Sequence, residues 1–405
     1  MYSSVNQENA RGYRQWQPMS IGITALNAAA AFWFSVAIAG QLVFAFAIAS
    51  FYGRSAVRGD FEAWNRLMSH GYVAGDSIGN LAVGVHLSLA VFVTLAGALQ
   101  LVPRVRSRWP QLHRWNGRIY LFAAFIISIV GLYMVWIRGS VGDFSQHVGV
   151  SLNAVLIVFC GIMALRYALA RNLKTHRRWA LRLFLVMSGV WFFRVGLFLS
   201  FFIFRRPFGF DPKTFTGPFL TVLSFAQYLL PLAILELYLR TQRGSGVTTR
   251  LAMASALLLL TIGMGAGILV VTRAVWLPNI KRAFDHRKSI ADQMSATMAS
   301  RGIEEAARQY HEIKTGAPSD YNFDEDELNR LGYKLMRANK LKEATGIFLL
   351  NVEGFPQSSN AYDSLAEAFE QGGDRSQAIA SYQRALELNP NNRNAMQGLQ
   401  RLKGR

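Results

Sequence analysis

The sequence predicts an all-α protein: a polytopic transmembrane helix bundle of about seven spans, followed by a soluble α-solenoid. Three observations carry this. Of 405 residues, 52% are hydrophobic and only 17% charged. Seven apolar runs each approach the ~20 residues that cross ~30 Å of hydrocarbon. Beyond residue 276 the composition turns mixed in charge and Ala- and Leu-rich, and it repeats at an offset of 34 residues.

The apolar runs cover residues 21–51, 81–102, 119–137, 147–169, 179–204, 219–239 and 251–276. Arg11 and Arg14 precede the first like the charged region of a signal peptide, and Ala37-Ile38-Ala39 mimics a cleavage site. The run continues far past that point, so it reads as an uncleaved first span. Cys160, the single cysteine, falls in the fourth run, so no intrachain disulfide can form.

The net charge of +19 divides unevenly: residues 1–275 hold 25 Lys and Arg against 7 Asp and Glu, and residues 276–405 hold 18 against 17. The excess sits in short connections, at Arg104, Arg106, Arg108, Arg114 and Arg118, and at Arg171, Lys174, Arg177, Arg178 and Arg182. Such clusters orient helices toward the cytoplasm and face lipid headgroups; they give no reason to expect a nucleic-acid partner. The expected location is the cell inner membrane, multi-pass. Residues 1–20 form a cytoplasmic segment, 21–276 the membrane domain with a four-histidine core at 81–204, and 277–405 a periplasmic or extracellular repeat domain. The basic run Lys281, Arg282, Arg287 and Lys288 opposes that side for the C-terminal domain, but long domains follow the charge rule weakly. Pro278 is expected to end the last span.

In the C-terminal part, Leu331, Gly332, Ala344, Phe348 and Pro356 superpose on Leu365, Ala366, Ala378, Tyr382 and Pro390 at the 34-residue offset. The unit from Ser359 to Asn392 resembles the tetratricopeptide repeat, with Tyr362, Leu365, Ala366, Phe369, Gly373, Ala378, Tyr382, Ala385 and Pro390 at its small and large positions. A partial upstream unit shows Ala306, Tyr310 and Pro318, followed by an acidic insertion, Asp320 to Glu327, that breaks the register. Residues 394–403 are expected to cap the array. Most of this pattern is helix packing, and the resemblance implies a surface for a protein or peptide partner.

The membrane part carries its chemistry in His86, His113, His147 and His176, each at or near the start of one of four consecutive spans. Ionisable or ligating groups at membrane depth are costly and default to a functional reading, and paired imidazoles on neighbouring helices suit haem iron. Alternating spans bring His86 and His147 to one membrane face and His113 and His176 to the other, the two levels separated by roughly 20–25 Å of helix rise. The residue four after each histidine is small: Ala90, Gly117, Ser151 and Ala180. Small residues are also ordinary at membrane helix contacts. The spacings of 61 (His86 to His147) and 63 (His113 to His176) suggest a duplicated hairpin. Arg114, Arg118, Arg177 and Arg182 are candidate haem-propionate partners, or interfacial arginines facing lipid phosphate. Arg194, mid-span, must face the bundle or water; it is a candidate partner for an anion, a quinone or a propionate, or a structural group bonded to Glu236, Asn153 or a carbonyl. Glu236 has Arg166 as its other expected partner. The loop 52–80, with Asp60, Glu62, Trp64, Arg66 and His70, is either a lid or a solvated connection.

The stretch from His86 through Gln100, Pro103, Arg106, His113-Arg114-Trp115, Gly117-Arg118 and Tyr120 to the His176-Arg177-Arg178-Trp179 phrase resembles a bacterial predicted-membrane-protein family of unknown function, which implies no activity. More distantly, one histidine per helix over four helices is similar to the two-haem transmembrane b-type cytochromes. That similarity implies haem b held by His86 with His147 and by His113 with His176. The outer pair, His86 and His147, is expected to be the better buried and, if only one pair holds haem, to be that pair; His113 and His176 precede their helices' charged collars and are expected nearer water. No phosphate loop, His-Glu-x-x-His helix, cysteine pair or Gly-x-Ser-x-Gly elbow occurs, so the corresponding enzyme classes lose support and no enzymatic activity is assigned. The expectations are a haem-binding electron-transfer protein, then a membrane-anchored repeat scaffold without redox activity, then a small-molecule carrier resting on Arg194 and the internal symmetry.

Overall fold

The computed structural model describes residues 21–212 and 214–404, so the segment 1–20, with Arg11 and Arg14, lies outside the described residues. The chain forms two compact units, Met1–Phe284 and Asp285–Arg405.

The first unit opens with α1 (Ile21–Ile48), which passes through a wide π-helical turn, Ala49–Gly53, into α2 (Arg54–Val57). After a loop come α3 (Ser77–Leu101), the short α4 (Pro103–Arg108), α5 (Pro110–Tyr133) with a second wide turn at Met134–Gly139, and α6 (Phe144–Leu169). Next follow α7 (Leu173–Met187), α8 (Gly189–Phe204), α9 (Pro218–Gly244), α10 (Val247–Val271) and α11 (Leu277–Ala283). Among the described residues six helical stretches are long and apolar enough to span a membrane, and the bent pair α7–α8 makes a seventh. Their outward faces are apolar: Phe122, Leu259 and Ile262 are largely exposed, as lipid-facing side chains are and those of a water-soluble surface are not.

Helix starts follow local chemistry. Asp76, Asp143 and Asn172 accept backbone N–H bonds from Gly79, Gln146 and Thr175 and so cap α3, α6 and α7. Proline opens α4, α5 and α9, where its missing N–H costs no bond. The expectation that Pro278 ends the last span fails. A wide turn at Thr272–Trp276 leads into α11 with Pro278 in its first turn, so the helix runs on to Ala283. The fifth span is not straight. It bends by 52° between α7 and α8, at Ser188. Ser188 turns its hydroxyl back to the Phe184 carbonyl and accepts from Gln41, while Gly189 leaves room for Asn153, whose Nδ2 lies 2.8 Å from where a β-carbon would stand.

The second unit is a stack of helix hairpins: α12 (Ile290–Arg301) with α13 (Ile303–Gly316), α14 (Glu325–Arg337) with α15 (Leu341–Gly354), α16 (Ser359–Gly372) with α17 (Arg375–Leu388), and the capping helix α18 (Arg393–Lys403). Phe348 and Tyr382, equivalent at the 34-residue offset, are both fully buried, Phe348 against Gly332 and Tyr382 against Gly398. The acidic segment is less foreign than expected. Tyr321–Asn322 forms a short parallel ladder with Lys288–Ser289, and Glu325, Asp326 and Glu327 are the first turn of α14, where negative charge suits the exposed N–H groups. Buried Glu327 accepts from the Ser289 hydroxyl and pairs with Arg330. Burial pushes the Tyr310 hydroxyl up to about 12.

Candidate functional site

The four histidine-bearing helices close on themselves. α3 packs on α5, α5 on α6 and α6 on α7, and α7 returns to α3. The helix pairs α3/α6 and α5/α7 therefore stand across this ring rather than side by side. Its middle is filled by Val93, Ala96, Tyr120, Ala124, Ile127, Ile157, Cys160 and Val186, so any site lies toward one end.

At one end stand His113 and His176. His113, near the start of α5, has its Nδ1 shut off from solvent without a hydrogen bond, and both Arg106 and His176 are within electrostatic reach of its ring. His176, on α7, has Nδ1 2.9 Å from the Ala164 carbonyl of α6. A carbonyl only accepts, so Nδ1 carries the proton and the neutral ring keeps its lone pair on Nε2. The Gln100 amide donates to the His113 carbonyl at 2.9 Å and Asn116 donates to the Ala96 carbonyl at 3.0 Å, pinning α3 to α5. The space at Gly117 is taken by Gln100, whose Nε2 lies 3.0 Å from where a β-carbon would stand.

The four candidate propionate arginines divide. Arg182 donates to Glu236 at 2.8 Å and lies over the Trp179 ring, so Glu236 pairs with Arg182 and not with Arg166 or Arg194. Arg118 stacks on Trp115, itself 61% exposed, as an interfacial side chain does. Arg114 and Arg177 are exposed.

At the other end the histidines have separate surroundings. His86 sits well inside α3, its Nδ1 buried without a hydrogen bond and its ring edge 3.8 Å from where a β-carbon at Gly131 would stand. Arg194 is within electrostatic reach of it. His147 lies beside the Trp136 ring at 5.8 Å, and its Nε2 is 3.2 Å from the Ser140 hydroxyl at an exposed position. Ser151 is engaged by the Trp136 indole N–H at 2.8 Å. Asn153 donates to the Val186 carbonyl. Arg194 bonds the Val190 carbonyl at 3.1 Å and stands over the Phe44 ring, so of its three expected structural partners it has the carbonyl.

Sequence reasoning missed Arg138 and Tyr52. Arg138, 3% exposed, donates to Asp76 at 2.7 Å, to Asn80 and to the His70 carbonyl, tying the end of α5 to the loop before α3. Its partners are too distant in sequence for any local signal to find. In that loop Trp64 is buried and donates to the Tyr52 carbonyl, and Asp60 caps the short turn Phe61–Arg66. Among the described residues no three His, Cys, Asp or Glu gather as a metal site would require.

Residues 83–238 match the family described as predicted membrane protein (DUF2306), and residues 359–392 match the tetratricopeptide repeat. Of the three resemblances expected from the sequence, those to a predicted-membrane-protein family and to the tetratricopeptide repeat are thereby found. No curated protein matches the chain. The protein is a multi-span membrane protein carrying a tetratricopeptide repeat region, a module that generally mediates protein–protein interaction.

Proposed function

We propose that the membrane unit binds a single b-type haem between His113 and His176 and works as an electron carrier, its repeat unit recruiting a protein partner. The observation that carries this is the placement of His113 on α5 and His176 on α7 at one end of a four-helix ring, within electrostatic reach of each other and with complementary nitrogens. His176 is oriented by the Ala164 carbonyl and keeps a free Nε2, and His113 has a buried nitrogen with no protein partner. A buried polar atom without a hydrogen bond is costly, and a metal–ligand bond removes that cost. This donor set fits haem iron. The set at the other end does not: His147 is engaged with Ser140 and Trp136, and no contact joins it to His86 among the described residues.

Haem bound there would supply one-electron chemistry, its potential set by ligands and burial. The chain's own residues position the site. The Ala164 carbonyl fixes the His176 ring, Gln100 and Asn116 hold α5 against α3, and the apolar plug around Tyr120 and Cys160 keeps water from the bundle centre. With the Arg-rich connections at this end, the charge rule puts it in the cytoplasm of an inner-membrane protein. The test is a reduced-minus-oxidised absorption spectrum of purified, haem-replete protein. Bands of a b-type haem that vanish in His113→Ala and His176→Ala and persist in His147→Ala are expected; their absence from the unmodified protein overturns the reading.

A second reading, a membrane-anchored scaffold without redox activity, is favoured by the commitment of Arg182 to Glu236 and by the filling of the Gly117 face by Gln100. It predicts a colourless protein whose phenotype is lost when residues 285–405 are deleted.

A further inference from the structure

Arg194 is a charged group of the membrane unit that neither reading uses. Its guanidinium cannot deprotonate, and at membrane depth an unneutralised charge is costly. Yet among the described residues no carboxylate pairs with it. Glu236 is taken by Arg182, Asp76 by Arg138, and Asp60 and Asp143 cap helices. Among the described residues its one hydrogen bond is to the Val190 carbonyl and its one ring contact is the face of Phe44, which leaves most of its five N–H donors for something else.

Two further polar groups converge on the same place. Trp191 and Val195 beside Arg194, Val83 and Leu87 beside His86, and Phe44, Tyr52 and Trp64 all belong to one packed cluster of α1, α3, α8 and the loop before α3. Beside it, His86 on α3 between Val83 and Leu87 has a buried Nδ1 with no hydrogen bond and lies within electrostatic reach of Arg194, as does Tyr52 of the cluster. A guanidinium fork, a phenol and an imidazole around an apolar wall are what a monoanionic, planar head with a hydrocarbon tail requires. Val190, one turn before Arg194 and the acceptor of its hydrogen bond, is 43% exposed, so this face of α8 is not covered by another helix. A carboxylate is the smaller anion: paired with the guanidinium it is neutralised at this depth while a single hydrocarbon tail stays in the bilayer.

We propose that Arg194, Tyr52 and His86 form an intramembrane site for the carboxylate of a lipid-soluble acid. The site does not rest on the haem reading, since its residues lie at the opposite end from His113 and His176 and its test uses no redox signal. In neutral detergent and mildly alkaline buffer, 9,10-dibromostearate is titrated against the full-length protein while tryptophan fluorescence is followed, Trp191 and Trp64 being in the cluster. Saturable quenching about tenfold tighter than by the methyl ester is expected, the loss of one charge-assisted contact corresponding to that factor. Arg194→Gln should abolish the preference and Arg194→Lys should retain part of it. Equal quenching by acid and ester, or a preference that survives Arg194→Gln, overturns the proposal. If Arg194→Gln does not fold, Tyr52→Phe decides: a severalfold weaker preference supports the site, and an unchanged one overturns it.

Discussion

The two ends of the histidine bundle were built from similar sequence and folded differently. At one end His113 and His176 come within electrostatic reach across α5 and α7, and the Ala164 carbonyl orients one of them. At the other, His86 is buried in α3 facing Gly131 of α5 and within electrostatic reach of Arg194, while His147 stays at an exposed edge with Ser140 and Trp136. The deciding elements are aromatic and charged side chains that periodicity does not weigh. Trp136 occupies the place beside Ser151, and Arg138 draws the end of α5 toward the preceding loop. Equal spacing in sequence thus gives unequal chemistry, because a ligand pair needs two side chains turned inward at one level and each end is closed by different neighbours.

The comparison can be broken most decisively by spectroscopy. On the proposed haem reading, replacing His113 or His176 with Ala should remove any b-type bands entirely, whereas His147→Ala should leave them intact; the opposite pattern would move the proposed site to the other end. Arg182→Leu comes next. It leaves Glu236 without its partner in a membrane setting and should lower stability by about 2–3 kcal/mol, read as a fall in thermal midpoint in detergent. If Arg182 serves a propionate instead, its loss should change the haem spectrum more than the midpoint. At the other end, Arg138→Ala should free the loop before α3 at a cost of about 1–2 kcal/mol, visible as faster proteolysis between residues 59 and 76, with the haem bands unaffected. The smallest effect concerns Asp143, the cap of α6. Backbone N–H bonds, chiefly from Gln146, hold its carboxyl below the usual carboxylate range. A depressed folded value means its contribution is present above the unfolded value and lost as pH falls through the folded one. Thermal midpoints measured toward acid pH should therefore fall slightly less in Asp143→Asn than in the unmodified protein.

Much of the fold was legible because it depends on sums along the chain. Twenty apolar residues in a row specify a span whatever they touch, and a 34-residue recurrence of small and large residues specifies stacked helix pairs. The misreadings occurred where a local rule met a neighbour. Pro278 was expected to stop a helix, but the wide turn Thr272–Trp276 precedes it and the helix continues. The acidic segment before α14 broke the repeat's spacing, yet part of it is that helix's first turn.

The sequence by itself determined the membrane spans, the repeat region and the placement of one histidine on each of four consecutive helices, since hydropathy and period are properties of short windows. Only the tertiary structure decided which histidines come within electrostatic reach of each other, that Arg182 rather than Arg166 or Arg194 pairs with Glu236, and that Arg194 bonds a carbonyl and covers an aromatic face. Those outcomes depend on helix rotation and on the bend at Ser188, which are fixed by side-chain packing between segments far apart in the chain.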